Sequence, residues 1–266
     1  MRIRVCLAIA AVITVPAIAQ WLRYPTPGLP RLADGKVNLN APAPKTADGK
    51  PDLSGLWENL PGGAVAPVVG ASPAAVEFRD IGAKVTGGLP FQPWAADLVK
   101  RRRADENKDD PDGWCQPLGA IKMHLHPYPR KIVQVPGLVL ILFERDTAYR
   151  QIFTDGRPLP EDPQPGYNGY SVGHWEGDTL VVETIGFKDS LWLDVSGTPL
   201  TDAAKVTERF RRPSFGKLEI EITVDDRKAY TKPWSIQISQ LTAADTEMME
   251  FVCQENEKDQ PHMVGK

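Results

Sequence analysis

The sequence predicts an all-β protein: an antiparallel barrel or sandwich of about ten strands, with one short helix and an extended N-terminal arm. Three observations predict it. Segments with a period of two recur through the second half of the chain. In the clearest, Leu218, Ile220, Ile222 and Val224 alternate with Glu219, Glu221 and Thr223, the pattern of a half-buried strand. Turn signals separate these segments, among them Pro136-Gly137, Asp155-Gly156 and Glu176-Gly177-Asp178. Only one segment reads as a convincing helix, so the strand-helix alternation of a parallel α/β sheet is missing. A closed barrel would also dispose of exposed sheet edges.

The elements follow in order. Residues 1–19 read as a secretory signal peptide: Arg2 and Arg4 precede an apolar run, and Ala17-Ile18-Ala19 is an A-x-A cleavage site. The run is too short to span a membrane, and no second one follows. Its loss removes Cys6 and takes the net charge from −3 to −5, mildly acidic for this length. The expected location is therefore periplasmic or secreted. No basic patch points to nucleic acid; the run from Lys100 to Arg103 is followed by Asp105, Glu106, Asp109 and Asp110, as at a solvated helix end. Residues 20–51 form a proline-rich extended arm without periodicity, in which Ala33-Asp34-Gly35-Lys36 is echoed by Ala47-Asp48-Gly49-Lys50.

Residues 52–266 form a single all-β domain. Its first strand, Asp52-Leu53-Ser54-Gly55-Leu56-Trp57-Glu58, carries a Gly-x-Trp that resembles the motif closing the base of lipocalin-like barrels. Residues 60–90, rich in glycine, alanine and proline, read as loop. The helix opens at Pro93-Trp94-Ala95-Ala96, where proline is pre-set for the first turn, and fades near Asn107. Strands follow on both sides of Pro136-Gly137, at residues 149–153, on both arms of the 169–187 hairpin, at residues 218–224, at Trp234, Ile236 and Ile238, and last at residues 248–253.

The 169–187 hairpin carries the candidate chemistry. In both registers open to its turn, Tyr170, Val172, His174, Val181, Glu183 and Ile185 share one face. Ser171, Gly173, Trp175, Leu180, Val182 and Thr184 share the other. If the first face lines the interior, burial favours neutral histidine and raises the carboxyl pKa, which makes His174, Glu183 and Tyr170 the candidate catalytic residues. The same face reads more readily as the wet side of the sheet, where a Tyr, a His and a Glu are common. His124 and His126 point the same way if Met123-His124-Leu125-His126-Pro127-Tyr128 is extended, so they are the candidate metal pair. Arg150, Trp175 and Tyr128 are the expected ligand contacts, an arginine at a cavity mouth suiting a carboxylate or phenolate. No nucleophile elbow, P-loop, dinucleotide fingerprint or zinc-protease motif is present, so no cofactor is expected.

Cys115 and Cys253 remain in a compartment where thiols oxidise, and are expected to pair, the alternative being two buried free thiols. The blocks ADGKPDLSGLW, RQIFTDGRPLP, GYSVGHWEGDTLVVETIGF, VTERFRR and AYTKPW, with Cys115 before QPLG and Cys253 before QENE, resemble an uncharacterised family of secreted proteins from soil bacteria. The resemblance runs from about Ala47 to Asp259 and implies secretion without implying a particular chemistry. Members often read Gly-His-Pro-His where this chain has Gly197-Thr198-Pro199-Leu200, so no histidine pair carries over. The expected function is a secreted binder of a small apolar or aromatic molecule in an apolar cavity with few polar groups. The alternatives are a cofactor-independent acid-base enzyme (lyase, isomerase or hydrolase) in the same cavity, and a structural envelope protein.

Overall fold

A computed structural model describes residues 24–59, 76–253 and 255. The signal peptide and the end of the C-terminal tail lie outside the described residues. The strands are β1 (Gly55–Asn59), β2 (Arg130–Val135), β3 (Leu138–Phe143), β4 (Tyr149–Phe153), β5 (Tyr170–Glu176), β6 (Thr179–Ile185), β7 (Leu191–Trp192), β8 (Pro199–Leu200), β9 (Lys205–Ser214), β10 (Lys217–Asp225) and β11 (Trp234–Thr242). Nine of them close into one barrel in the order β1-β11-β10-β9-β6-β5-β4-β3-β2, while β7 and β8 form a separate ribbon.

The barrel is mixed, not wholly antiparallel. Neighbours run antiparallel except β4 and β5, which pair in parallel through Ile152 with Ser171 and Phe153 with Val172. The long connection over residues 154–169 carries the chain back along the barrel wall before β5 begins, which a tight hairpin could not do. The strand expected at residues 248–253 is not formed. Pairing of β1 with β11 closes the barrel and leaves no edge for a further strand. The C-terminal segment instead crosses the surface, with the Met249 amide donating to the Glu144 carboxylate at 2.9 Å.

The Gly-x-Trp lies at the barrel base, in β1, with the Trp57 ring turned into the core. Trp57 is fully buried, donates from Nε1 to the Leu53 carbonyl at 3.0 Å, and lies 4.7 Å beneath the Arg212 guanidinium. Gly55 has φ +147°, a conformation that a side chain would strain. The arm folds back beside this base: Phe215 and Gly216 donate to the carbonyls of Ala41 and Leu39, and Arg31 pairs with Asp245 at 2.5 Å. Its two Ala-Asp-Gly-Lys copies make the same turn, each closed by a bridge, Arg31 with Val37 and Lys45 with Pro51.

Among the described residues three α-helices decorate the barrel: α1 (Val76–Arg79), α2 (Pro93–Ala104), which is the helix expected, and α3 (Ala120–Leu125). All six residues of α3 are buried, and the helix stops the barrel mouth opposite Trp57. It overturns the extended reading of His124 and His126. Ala-Ile-Lys-Met-His-Leu holds a single β-branched residue, and His126 takes up the extended C-cap conformation.

Candidate functional site

The hairpin faces divide as expected, but the inward one is Ser171, Gly173, Leu180, Val182 and Thr184. An added Cβ at Gly173 would meet Ile152 and Leu180 at 3.1 and 3.2 Å, so that face already packs against the core. His174 is 59% exposed and contacts Glu176; Glu183 is 35% exposed and paired with Lys205. Tyr170 stacks on Phe153 beside Arg157 on the same outer face. The three candidate catalytic residues therefore do not meet in a desolvated site, and the environment expected to tune them is missing.

A different constellation fills the interior. Arg150 on β4 shares the phase of Ile152 and points inward; Glu208 on β9 takes its place between Val206 and Phe210. Both are buried, and the guanidinium grips the carboxylate with two hydrogen bonds, Nη1 to Oε1 at 3.0 Å and Nη2 to Oε2. The remaining Arg150 donors reach Ser171 Oγ at 3.1 and 3.2 Å and Thr184 Oγ1 at 2.9 Å. From α3, His124 Nε2 stands 3.0 Å from Glu208 Oε1, which makes it the protonated nitrogen. Its buried Nδ1 has no hydrogen-bond partner among the described residues.

Burial pushes the Glu208 carboxyl up, but the Arg150 charge and the hydrogen bonds from His124 and Arg150 outweigh it and hold the group at about 2. Burial pushes His124 down, with Glu208 opposing only in part, so the imidazole is neutral. A second polar layer lies alongside. Arg130 is fully buried, and its guanidinium donates to oxygens of Asn59, His124, His126 and Tyr128. Gln240 donates to Asn59 and to the His124 carbonyl, so the end of α3 is bolted to the barrel wall. Desolvation lowers Arg130 to about 9.

The two histidines diverge, which removes the geometry of the candidate metal pair. His126, also buried, turns away from Glu208 to Asp112, with Nε2 3.7 Å from Oδ2, and its ring contacts those of Phe78 and Tyr128. Asp112 is also held by Arg145 at 2.5 Å, and the C-terminal Phe251 covers Tyr128 with ring centres 4.8 Å apart. No group of three or more His, Cys, Asp or Glu that could hold a metal is found among the described residues. Of the expected ligand contacts, Arg150 belongs to the interior pair and Tyr128 to this aromatic stack. Trp175 is half-buried against the core at the end of β5.

One open space lies above α3, and another, of about 250 Å³, lies beside the barrel base among Thr26, Asp52, Arg212 and Glu247. A cleft of about 210 Å³ has Pro111, Pro117, Leu118, Tyr167, Leu191 and Trp192 as apolar walls, and Gln116, Lys122, Lys188, Asp189 and Ser190 as polar groups. Local geometry fixes it. Gly119 has φ +79°, and a Cβ there would come within 2.7 Å of the Tyr167 carbonyl. Buried Asp194 holds the β7–β8 ribbon by accepting from Thr198 N and Oγ1 and from the Ile81 amide. Arg102 stacks 4.2 Å from the Trp192 ring centre, and Lys122 pairs with Asp110 at 2.7 Å.

The sequence did hold a signal for the interior pair. A glutamate in the apolar phase of Val206, Glu208 and Phe210, and an arginine in phase with Ile152, are charges in positions reserved for core residues. The cleft left no such trace, because loops far apart in sequence build it. No protein-family model matches the chain, and no curated protein matches it by sequence.

Proposed function

We propose that the protein is a secreted binder of a small apolar or aromatic molecule, which is held in the cleft over the barrel mouth and not in the barrel interior. The observation that carries this reading is the cleft itself: apolar walls on a fixed frame, punctuated by a few polar groups, next to a barrel whose interior is filled with side chains. The Cys115–Cys253 disulfide supports export, since such bonds persist in oxidising compartments. No helix among the described residues is long and apolar enough to cross a membrane.

Ligand binding to the folded state raises the melting temperature by mass action. A neutral aromatic probe, 2-naphthalenemethanol, is expected to raise it in the wild type and in the outer-face variant His174→Ala, and to lose that effect in Trp192→Ala. An equal shift in all three proteins would show that the probe binds elsewhere and would remove the cleft as the site.

A further inference from the structure

Resting on that reading, we infer that the cleft selects an aromatic monocarboxylate, with Lys188 as the group that takes the anion. The charges around the cleft leave one cation to act. Lys122 is neutralised within the wall by Asp110, 2.7 Å away. Asp189 also lines the cleft and is exposed, its carboxylate accepting from Ser190 Oγ at 3.4 Å, while Lys228, outside the lining, pairs with Asp202 at 2.6 Å. Lys188 forms no ion pair among the described residues; its amine sits 4.3 Å from the centre of the Tyr167 ring. A ring face holds an ammonium in place without cancelling its charge, so the amine stays positioned at the cleft with its donors available.

The aromatic part of the ligand follows from the walls. Trp192 is nearly buried, and its ring is braced by the Arg102 guanidinium, which also donates to the Gly197 carbonyl at 2.6 Å. A flat, immobilised indole in a lining that also holds Pro111, Pro117 and Leu118 offers a planar ligand contact without much loss of side-chain entropy on binding. One ring system against Trp192 and one carboxylate on Lys188 satisfy the apolar surface and the single cation together. A phosphate monoester would bring a second negative charge that the lining does not match.

The test compares three isosteric probes, 2-naphthoate, 2-naphthalenemethanol and 2-naphthalenemethylamine, by isothermal titration at neutral pH and low salt. Expected is at least ten-fold tighter binding of 2-naphthoate than of the alcohol, with the amine weakest. Lys188→Gln should bring acid and alcohol to within about two-fold, and Lys188→Glu should invert the order of acid and amine; Lys188 is exposed, so both variants keep the fold. Equal binding of acid and alcohol in the wild type overturns the carboxylate assignment and leaves the binding reading standing. Failure of all three probes, or binding indifferent to Trp192→Ala, overturns both.

Discussion

Arg150 and Glu208 are two charges taken wholly out of water, and they persist because they pair with each other while Ser171, Thr184 and His124 meet their remaining hydrogen-bonding needs. Such a pair adds little net stability but makes the loss of one partner expensive. Its protonation behaviour can be signed. Burial puts His124 and His126 below their ordinary value of 6.5, so under mild acid the unfolded chain binds protons that the folded chain refuses. Stability is therefore full above about pH 6.5 and falls as pH drops below it, each histidine contributing up to about 1.4 kcal/mol per pH unit. Glu208 opens a second window: held at about 2 against an ordinary 4.5, it supports the fold above 4.5 and ceases to as pH falls toward 2. Urea unfolding at pH 7, 5.5 and 4 should show this decline. His124→Gln should flatten the upper window, and Glu208→Gln should cost about 3–5 kcal/mol at pH 7 by stranding the Arg150 charge. Stability independent of pH between 7 and 5 would mean that the histidines are not buried neutral.

Among the elements, α3 decides most, since its Lys122 end forms part of the cleft and its His124 end enters the polar centre. It was also the least legible. Six residues are too few for a period of 3.6 to separate itself from a period of two, and the two histidines of His-Leu-His suggested an extended chain. The hairpin fared differently: alternation alone sorted its side chains into the right two groups, because strand parity survives a change of register. Parity does not say which group faces in. Gly173 at mid-strand was the available clue, since a position without room for Cβ lies where another surface comes close. The same logic gives a prediction for α3. Gly119 and Gly177 both have positive φ, +79° and +59°, but only Gly119 has a neighbour where Cβ would sit. Gly177→Ala should cost about 1 kcal/mol from backbone strain alone. Gly119→Ala should cost about 2–3 kcal/mol in denaturant titration, with weaker probe binding, because α3 must shift from Tyr167. Equal costs would show that the Gly119 contact with Tyr167 does not hold the plug in place.

For the molecule as a whole, the arrangement is a barrel closed below by Trp57 and Arg212 and above by α3, with connections over the upper end forming the cleft. The closed sheet was legible from alternating strands and turn signals, and the disulfide from two cysteines in a chain that reads as exported. The parallel β4–β5 pairing was not, since residues 154–169 carry no sign of which way the next strand will run. The Cys115–Cys253 bond joins the two levels of organisation: Cys115 lies beside Gln116 on the cleft rim, and Cys253 ends the segment that lays Phe251 on Tyr128. Its partners are 138 residues apart, so in the chain-entropy account it restrains the unfolded state by about 5 kcal/mol at most. The Cys115→Ser, Cys253→Ser double variant should therefore lose about 2–5 kcal/mol in urea unfolding, and reductant should bring the wild type to the same level while leaving the variant unchanged. An undiminished double variant would mean that the barrel closes and holds its upper end without the tether, and that the bond serves only to keep the C-terminal segment in place.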